Sequence, residues 1–149
     1  MDFTKIEFHI YGNGAERELI EAFILKNPEL SIYYHGEVSR KKLHKELSKY
    51  DVAIIPLLNR IYGSVPSKIF EYTKLGIPIL YFGGGEGETI IEKYNLGWVA
   101  EASNYLELNS KINDINKEKL DLNFKKNIQK TALQNFDFQK QLSAFLKQI

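Results

Sequence analysis

Two patterns of apolar residues take turns along this chain, one with the period of a strand and one with the period of a helix. Ile6, Phe8 and Ile10 alternate with polar residues, which predicts a half-buried strand. Residues 15–25 place apolar side chains three and four positions apart, which predicts an amphipathic helix. The remaining predicted strands are Leu30–Tyr34, Val52–Leu57, Ile77–Phe82 and Leu96–Val99. The remaining predicted helices are one capped by Ser39, one beginning at Pro66, one through Ile90 and Ile91, and three over Tyr105–Ile115, Lys117–Gln134 and Phe138–Ile149.

This alternation of strands and helices predicts an α/β fold. We expect a Rossmann-like parallel sheet of about five strands, with helices on both faces and a helical carboxyl-terminal third. The unbroken apolar run Val52–Leu57 is typical of a strand that is buried on both faces. Ligands of such sheets bind beyond the carboxyl ends of the strands. The loops predicted at that edge are Gly12–Gly14, His35–Val38, Pro56–Val65 and Gly83–Gly87.

Composition narrows the function mainly by exclusion. The 149 residues predict one domain over 1–149, and the net charge of +1 gives no reason to expect a nucleic-acid partner. The chain has no cysteine, which rules out disulfides and thiolate ligands. It also has no apolar run of membrane-spanning length and no signal-peptide core at its start. These features predict a cytoplasmic location, with membrane association only through another domain.

The segment Ser64–Tyr72 carries the strongest functional signal. Pro66 marks a helix start, where its fixed φ is favourable, and the amides of Ser67 and Lys68 then lie at the positive end of the helix dipole. Such an end can bind a phosphate or a carboxylate, and Lys68 adds a full positive charge beside it. Glu71 follows one turn later on the same side, where a carboxylate can hold ribose hydroxyls. The segment predicts a site for a phosphorylated sugar or nucleotide, although Lys68 and Glu71 could instead form only a surface salt bridge.

The other candidate positions are weaker. Gly12 and Gly14 form either a simple turn or a loop that a ligand approaches, since Arg17 stands where the dinucleotide fingerprint has its third glycine. The run Gly83–Gly87 lacks the lysine of a P-loop, so it is either structural or a close backbone approach to a ligand. The histidines offer no spacing suited to metal ligands, and we keep only His35 as a site candidate, because it ends a strand at the predicted ligand edge.

Taken in order, these segments resemble the carboxyl-terminal domain of group 1 glycosyltransferases of the GT-B fold. The resemblance covers most of the chain and rests on the order of its motifs. The motifs are Ile10–Gly14, His35–Val38, Tyr50–Leu57, Val65–Tyr72, Gly76–Leu80, Gly84–Glu86 with Ile90 and Ile91, Asn95–Val99 and Phe136–Phe138.

The resemblance implies that the chain binds a nucleoside diphosphate sugar and transfers the sugar to an acceptor hydroxyl without a metal or other cofactor. It implies that Glu71 holds the ribose and that Ser67 and Lys68 lie against the diphosphate. The cleft for the nucleotide and donor sugar would be lined by the glycine turns and the loop before the helix. Its candidate residues are Gly12, Gly14, His35, Gly63, Ser64, Val65, Pro66, Gly84, Gly85 and Glu86.

The chain departs from that family at two points. The family often has a glutamate eight positions before the one that matches Glu71, and it contacts the donor sugar; here that position is Gly63. The family's domain also begins one strand and one helix earlier, and its amino-terminal acceptor domain is missing here. We therefore expect a donor-binding half that is inactive alone, needs its missing domain as a partner, and tends to dimerise through its unpaired strand edges. A non-catalytic nucleotide-binding module is the alternative, and a flavodoxin-like or dehydrogenase-like domain is a third reading.

Overall fold

The structure is a computed structural model that describes residues 6–59, 62–117, 120–137, 143 and 146–147. Its backbone forms two compact units, an amino-terminal unit over Met1–Lys49 and a carboxyl-terminal unit over Tyr50–Ile149. No helix among these described residues is long and apolar enough to cross a membrane.

The amino-terminal unit pairs two short parallel strands, each followed by a helix. Strand β1 pairs with β2 so that His9 stands opposite Tyr33. Helix α2 begins as predicted, because the Ser39 side chain accepts a hydrogen bond from the Lys42 amide. The elements are β1 (Phe8–Ile10), α1 (Arg17–Lys26), β2 (Ile32–Tyr34) and α2 (Arg40–Leu47).

The carboxyl-terminal unit contains a three-stranded parallel sheet in the order β3-β4-β5. All five predicted strands therefore form, and they pair as one two-stranded and one three-stranded parallel sheet. The remaining elements are β3 (Ala53–Pro56), α3 (Ser67–Lys74), β4 (Ile79–Gly83), α4 (Glu86–Lys93), β5 (Gly97–Glu101), α5 (Tyr105–Lys117) and α6 (Leu122–Asn135). Of the predicted final helix Phe138–Ile149, all but residues 143, 146 and 147 lie outside the described residues.

Strand β4 forms the centre of the three-stranded sheet, and all five of its residues are buried. Alternate side chains point to opposite faces: Ile79 and Tyr81 join the core with Ile69 of α3, whereas Phe82 packs against Tyr105 of α5. Helices thus cover both faces of this sheet, as the sequence predicts.

The prediction that the β3 run is buried on both faces is only partly correct. Ile55 is buried, but Ile54 is half-buried and Pro56 is exposed. Among the described residues β3 has a hydrogen-bonded neighbour on one side only, which is β4. A strand at a sheet edge has fewer neighbours to cover its side chains, and the edge also tolerates a proline.

Helix α6 depends on an N-cap that one substitution can remove. The Asp121 carboxylate accepts a hydrogen bond from the Phe124 amide at 2.7 Å. We expect Asp121→Ala to lower the free energy of unfolding by about 1 kcal/mol. Urea denaturation measures the change. Asp114→Ala, at an exposed position within α5, is the matched control and should cost nothing measurable. Equal effects of the two substitutions would contradict the capping role.

Candidate functional site

The loops at the carboxyl ends of β3, β4 and β5 are joined by two side-chain hydrogen bonds. The Ser103 hydroxyl, after β5, donates to the Leu58 carbonyl, after β3, at 3.0 Å. The Gly63 amide, in the loop between β3 and α3, donates to Glu86 Oε1 at the start of α4 at 2.8 Å. These bonds bring together the loops at the sheet edge where the sequence places a ligand.

Helix α3 begins at this edge and presents the strongest of the predicted positions. Pro66 lies just before the helix, with φ −58° and ψ 122°, rather than inside its first turn. Its carbonyl accepts the first hydrogen bond, from the Ile69 amide at 3.0 Å. Among the described residues, no acceptor bonds the amides of Ser67 and Lys68. Both side chains are exposed, so this helix start combines free donors with a positive charge.

The charged and aromatic residues of α3 extend this arrangement by one turn. Glu71 is half-buried, and no acidic residue lies in the first turn of the helix. Burial raises the pKa of the Tyr72 phenol, and the negative charge of Glu71 adds to that rise. An anion-binding helix start with a carboxylate one turn along can hold a ligand that carries both phosphate and hydroxyl groups.

Packing explains part of the glycine-rich run. Gly83 ends β4, and Gly87 lies inside α4 where an added Cβ would overlap the Tyr81 hydroxyl. Gly85 has φ +82°, in the left-handed region. Gly84 is buried, and its carbonyl accepts a hydrogen bond from the Tyr81 hydroxyl at 3.2 Å. A Cβ at Gly83 would lie 3.2 Å from the Leu57 Cβ, so packing accounts for Gly83 and Gly87, and the left-handed backbone accounts for Gly85. The approach of a ligand to Gly84 and Gly85 stays a prediction.

Glu86 is hydrogen-bonded to the loop before α3. One carboxylate oxygen accepts the Gly63 amide, while Oε2 is buried and has no hydrogen-bond partner among the described residues. The Gly63 amide, and after it the amide of Glu86 itself, hold the pKa of the Glu86 carboxyl below its ordinary value of 4.5, although burial opposes this shift. The carboxylate is therefore charged at neutral pH.

This pKa shift predicts a pH-dependent stability. A carboxyl whose pKa is lowered in the folded state stabilises the fold above pH 4.5, and that contribution is lost as the pH falls through the lower folded value. Glu86→Gln should therefore lower the free energy of unfolding at neutral pH, and the difference from wild type should shrink on acidification to about pH 3.5. Urea denaturation at both pH values tests this. A difference that grows on acidification would contradict the assigned direction.

Gly12 and His35 meet in the amino-terminal unit. The Gly12 amide donates to the Gly36 carbonyl at 2.9 Å, and the Tyr34 hydroxyl donates to the Gly12 carbonyl at 2.7 Å. The His35 ring stacks on Tyr11 with ring centres 4.5 Å apart. Gly14 is exposed and has open space around its Cα. The turn and the histidine therefore share one surface, as their places at strand ends predict.

The structure adds one residue that sequence reasoning left out. His9 Nδ1 and His35 Nε2 share a hydrogen bond at 2.9 Å, and His9 Nε2 lies 3.3 Å from Glu7 Oε2. The pairing follows from strand register, which no spacing within one strand reveals. Among the described residues no three histidine, cysteine, aspartate or glutamate side chains form a cluster that could hold a metal ion.

The chain is similar to known proteins in sequence and in fold. The family profile described as "Glycosyl transferases group 1" matches residues 2–132. The crystal structure of TarM superposes with a TM-score of 0.71 at 17% identity, over 97% of this chain and 28% of TarM. No curated protein matches the chain. At this identity the likeness to TarM establishes a common fold.

Proposed function

Because the chain belongs to the group 1 glycosyl transferases, we propose that it is the donor-binding half of a GT-B enzyme. The chain would bind a nucleoside diphosphate sugar, and the enzyme would transfer the sugar to an acceptor hydroxyl. The observation that carries the proposal is the start of α3, where the amides of Ser67 and Lys68 have no acceptor among the described residues and precede Glu71 by one turn. The amides and Lys68 would stabilise the leaving diphosphate, and Glu71 would hold the ribose.

The arrangement at α3 suits a diphosphate for a geometric reason. Two adjacent amides and one lysine can bond several oxygens of one diphosphate, and the helix dipole adds to the attraction. No metal or other cofactor is part of the proposal.

We further propose that the rest of the enzyme, including the acceptor domain, completes the active site. The chain spans only 28% of TarM, and the family resemblance assigns its candidate residues to the donor side. The chain alone would therefore bind nucleotide without transferring sugar. Bacterial polysaccharide synthesis in the cytoplasm is the role that we propose for the whole enzyme, with any membrane association made by the other domain.

Isothermal titration of the chain with UDP and with GDP tests the proposal. We expect one of the two to bind, since the proposed site includes the diphosphate and ribose contacts. Failure of both to bind would overturn the proposed function.

A second candidate function is nucleotide binding without catalysis. Gly63, which stands where the family often has a glutamate, favours this alternative. An activity assay of a longer protein that contains both domains would distinguish the two functions. Sugar transfer from a nucleotide donor by that protein would support the enzyme, whereas binding without turnover would support the module.

We also predict that the isolated chain forms homodimers at high concentration. Among the described residues, strand β3 is paired on one side only, with β4. The amides of Ala53 and Leu57 donate toward β4, and because amide directions alternate along a strand, the Ile54 amide points away from β4. Light scattering over a concentration series should show rising mass, and Ile54→Pro, which removes the outward donor, should reduce it. A clean monomer at every concentration would contradict the prediction.

A further inference from the structure

Two of the helix starts at the ligand edge of the carboxyl-terminal unit, those of α3 and α4, carry opposite charge. Helix α3 has no acidic residue in its first turn and carries Lys68 there. Helix α4 begins with two acidic residues in its first turn, Glu86 and Glu88. These carboxylates already compensate the positive end of the α4 dipole and repel a second anion. The diphosphate is therefore favoured at α3, and α4 is suited to uncharged hydrogen-bond donors.

Only one of the two Glu86 carboxylate oxygens has a hydrogen-bond partner among the described residues. The Gly63 amide holds Oε1 at 2.8 Å, whereas Oε2 is buried and has no partner among the described residues. A buried carboxylate oxygen without a donor costs free energy, and a hydroxyl group can supply the missing hydrogen bond. A phosphate cannot, because it is itself an acceptor at neutral pH.

Chain connectivity keeps this oxygen close to the start of α3. Three residues lie between Gly63 and Ser67, and the four residue-to-residue steps span about 14 Å at most when fully extended. Since Glu86 is bonded directly to Gly63, its carboxylate and the proposed diphosphate position lie at the two ends of one short loop. This limit keeps a sugar attached to a diphosphate at α3 within the neighbourhood of the Glu86 carboxylate.

On the basis of the proposed function, we infer that Glu86 Oε2 accepts a hydrogen bond from a hydroxyl of the donor sugar. Glu86 is then a residue that determines donor-sugar specificity, and it contributes little to the affinity for the nucleotide. Since Oε2 is covered, the hydroxyl reaches it through a small movement of the Glu86 side chain or of the loop that carries Gly63.

Titration calorimetry with paired ligands tests this inference. UDP is compared with UDP-glucose and UDP-N-acetylglucosamine, and GDP with GDP-mannose, for wild type, Glu86→Gln, Glu86→Ala and Glu92→Ala. Glutamine keeps an oxygen for the Gly63 amide but replaces Oε2 with a donor, whereas alanine removes both groups. Glu92, exposed on the same helix, is the matched control.

We expect the wild type to bind a sugar nucleotide more tightly than the matching diphosphate, by about tenfold or more. Glu86→Gln should lose that gain and keep its affinity for the diphosphate within about twofold, and Glu92→Ala should behave as wild type. Glu86→Ala should also lose the gain, with thermal unfolding showing that the fold is retained.

The other outcomes separate the inference about Glu86 from the proposed function. A full sugar-dependent gain in Glu86→Gln, or no gain in the wild type with any of these sugars, would overturn the inference alone. Equal weakening of diphosphate and sugar nucleotide in Glu86→Gln would also overturn it, because that result assigns Glu86 to the diphosphate or to loop geometry. No binding of any nucleotide by the wild type would overturn the proposed function, and the inference with it.

Discussion

Glu71→Ala is expected to weaken binding of the preferred nucleoside diphosphate by about 10- to 150-fold. The expectation follows from the proposed contact between this carboxylate and the ribose, since a hydrogen bond to a charged group is worth about 1.5–3 kcal/mol. Glu71 is half-buried on α3, so a bound ribose would exclude water from the contact and make the loss large. Isothermal titration with UDP and GDP measures the change.

The substitution has a matched control in the same unit. Glu92→Ala removes an exposed carboxylate from α4 and should leave nucleotide affinity unchanged. Both variants should have nearly the same urea midpoint of unfolding as the wild type. A fall in affinity is then due to the lost contact and not to a loss of folding. Unchanged affinity in Glu71→Ala would remove the ribose assignment while leaving the family membership of the chain intact.

Ile69→Ala is expected to have the largest effect on stability, lowering the free energy of unfolding by about 2–5 kcal/mol. Ile69 is fully buried and belongs to the core cluster with Ile79 and Tyr81 of β4. Truncation removes apolar contacts and leaves a cavity between α3 and the sheet. Because α3 carries the proposed diphosphate and ribose contacts, nucleotide affinity should fall in the same variant.

Urea denaturation measures this loss. Leu106→Ala is the control, since Leu106 on α5 is 84% exposed and should change the free energy of unfolding by less than about 0.5 kcal/mol. Similar losses in the two variants would show that Ile69 does not anchor α3 to the sheet.

Local patterns were sufficient to predict most of the fold. Alternating apolar residues and unbroken apolar runs of strand length predict the five strands, and neighbouring residues predict the Ser39 cap and the helix start after Pro66. These features depend on backbone preferences and on groups within one turn of each other, which a sequence displays directly. The same reasoning overestimated the burial of β3, because burial depends on which strands flank it.

The contacts of the candidate site also fall into two groups, those that local spacing predicts and those that only the tertiary structure shows. The sequence by itself determined that Ser67, Lys68 and Glu71 share the start of one helix, since their spacing fixes their relative positions. Only the tertiary structure decided that Glu86 meets Gly63 and that His9 meets His35, across 23 and 26 residues respectively. Contacts of that separation arise from strand order and loop path, which are set by the packing of the whole core and not by any local run of residues.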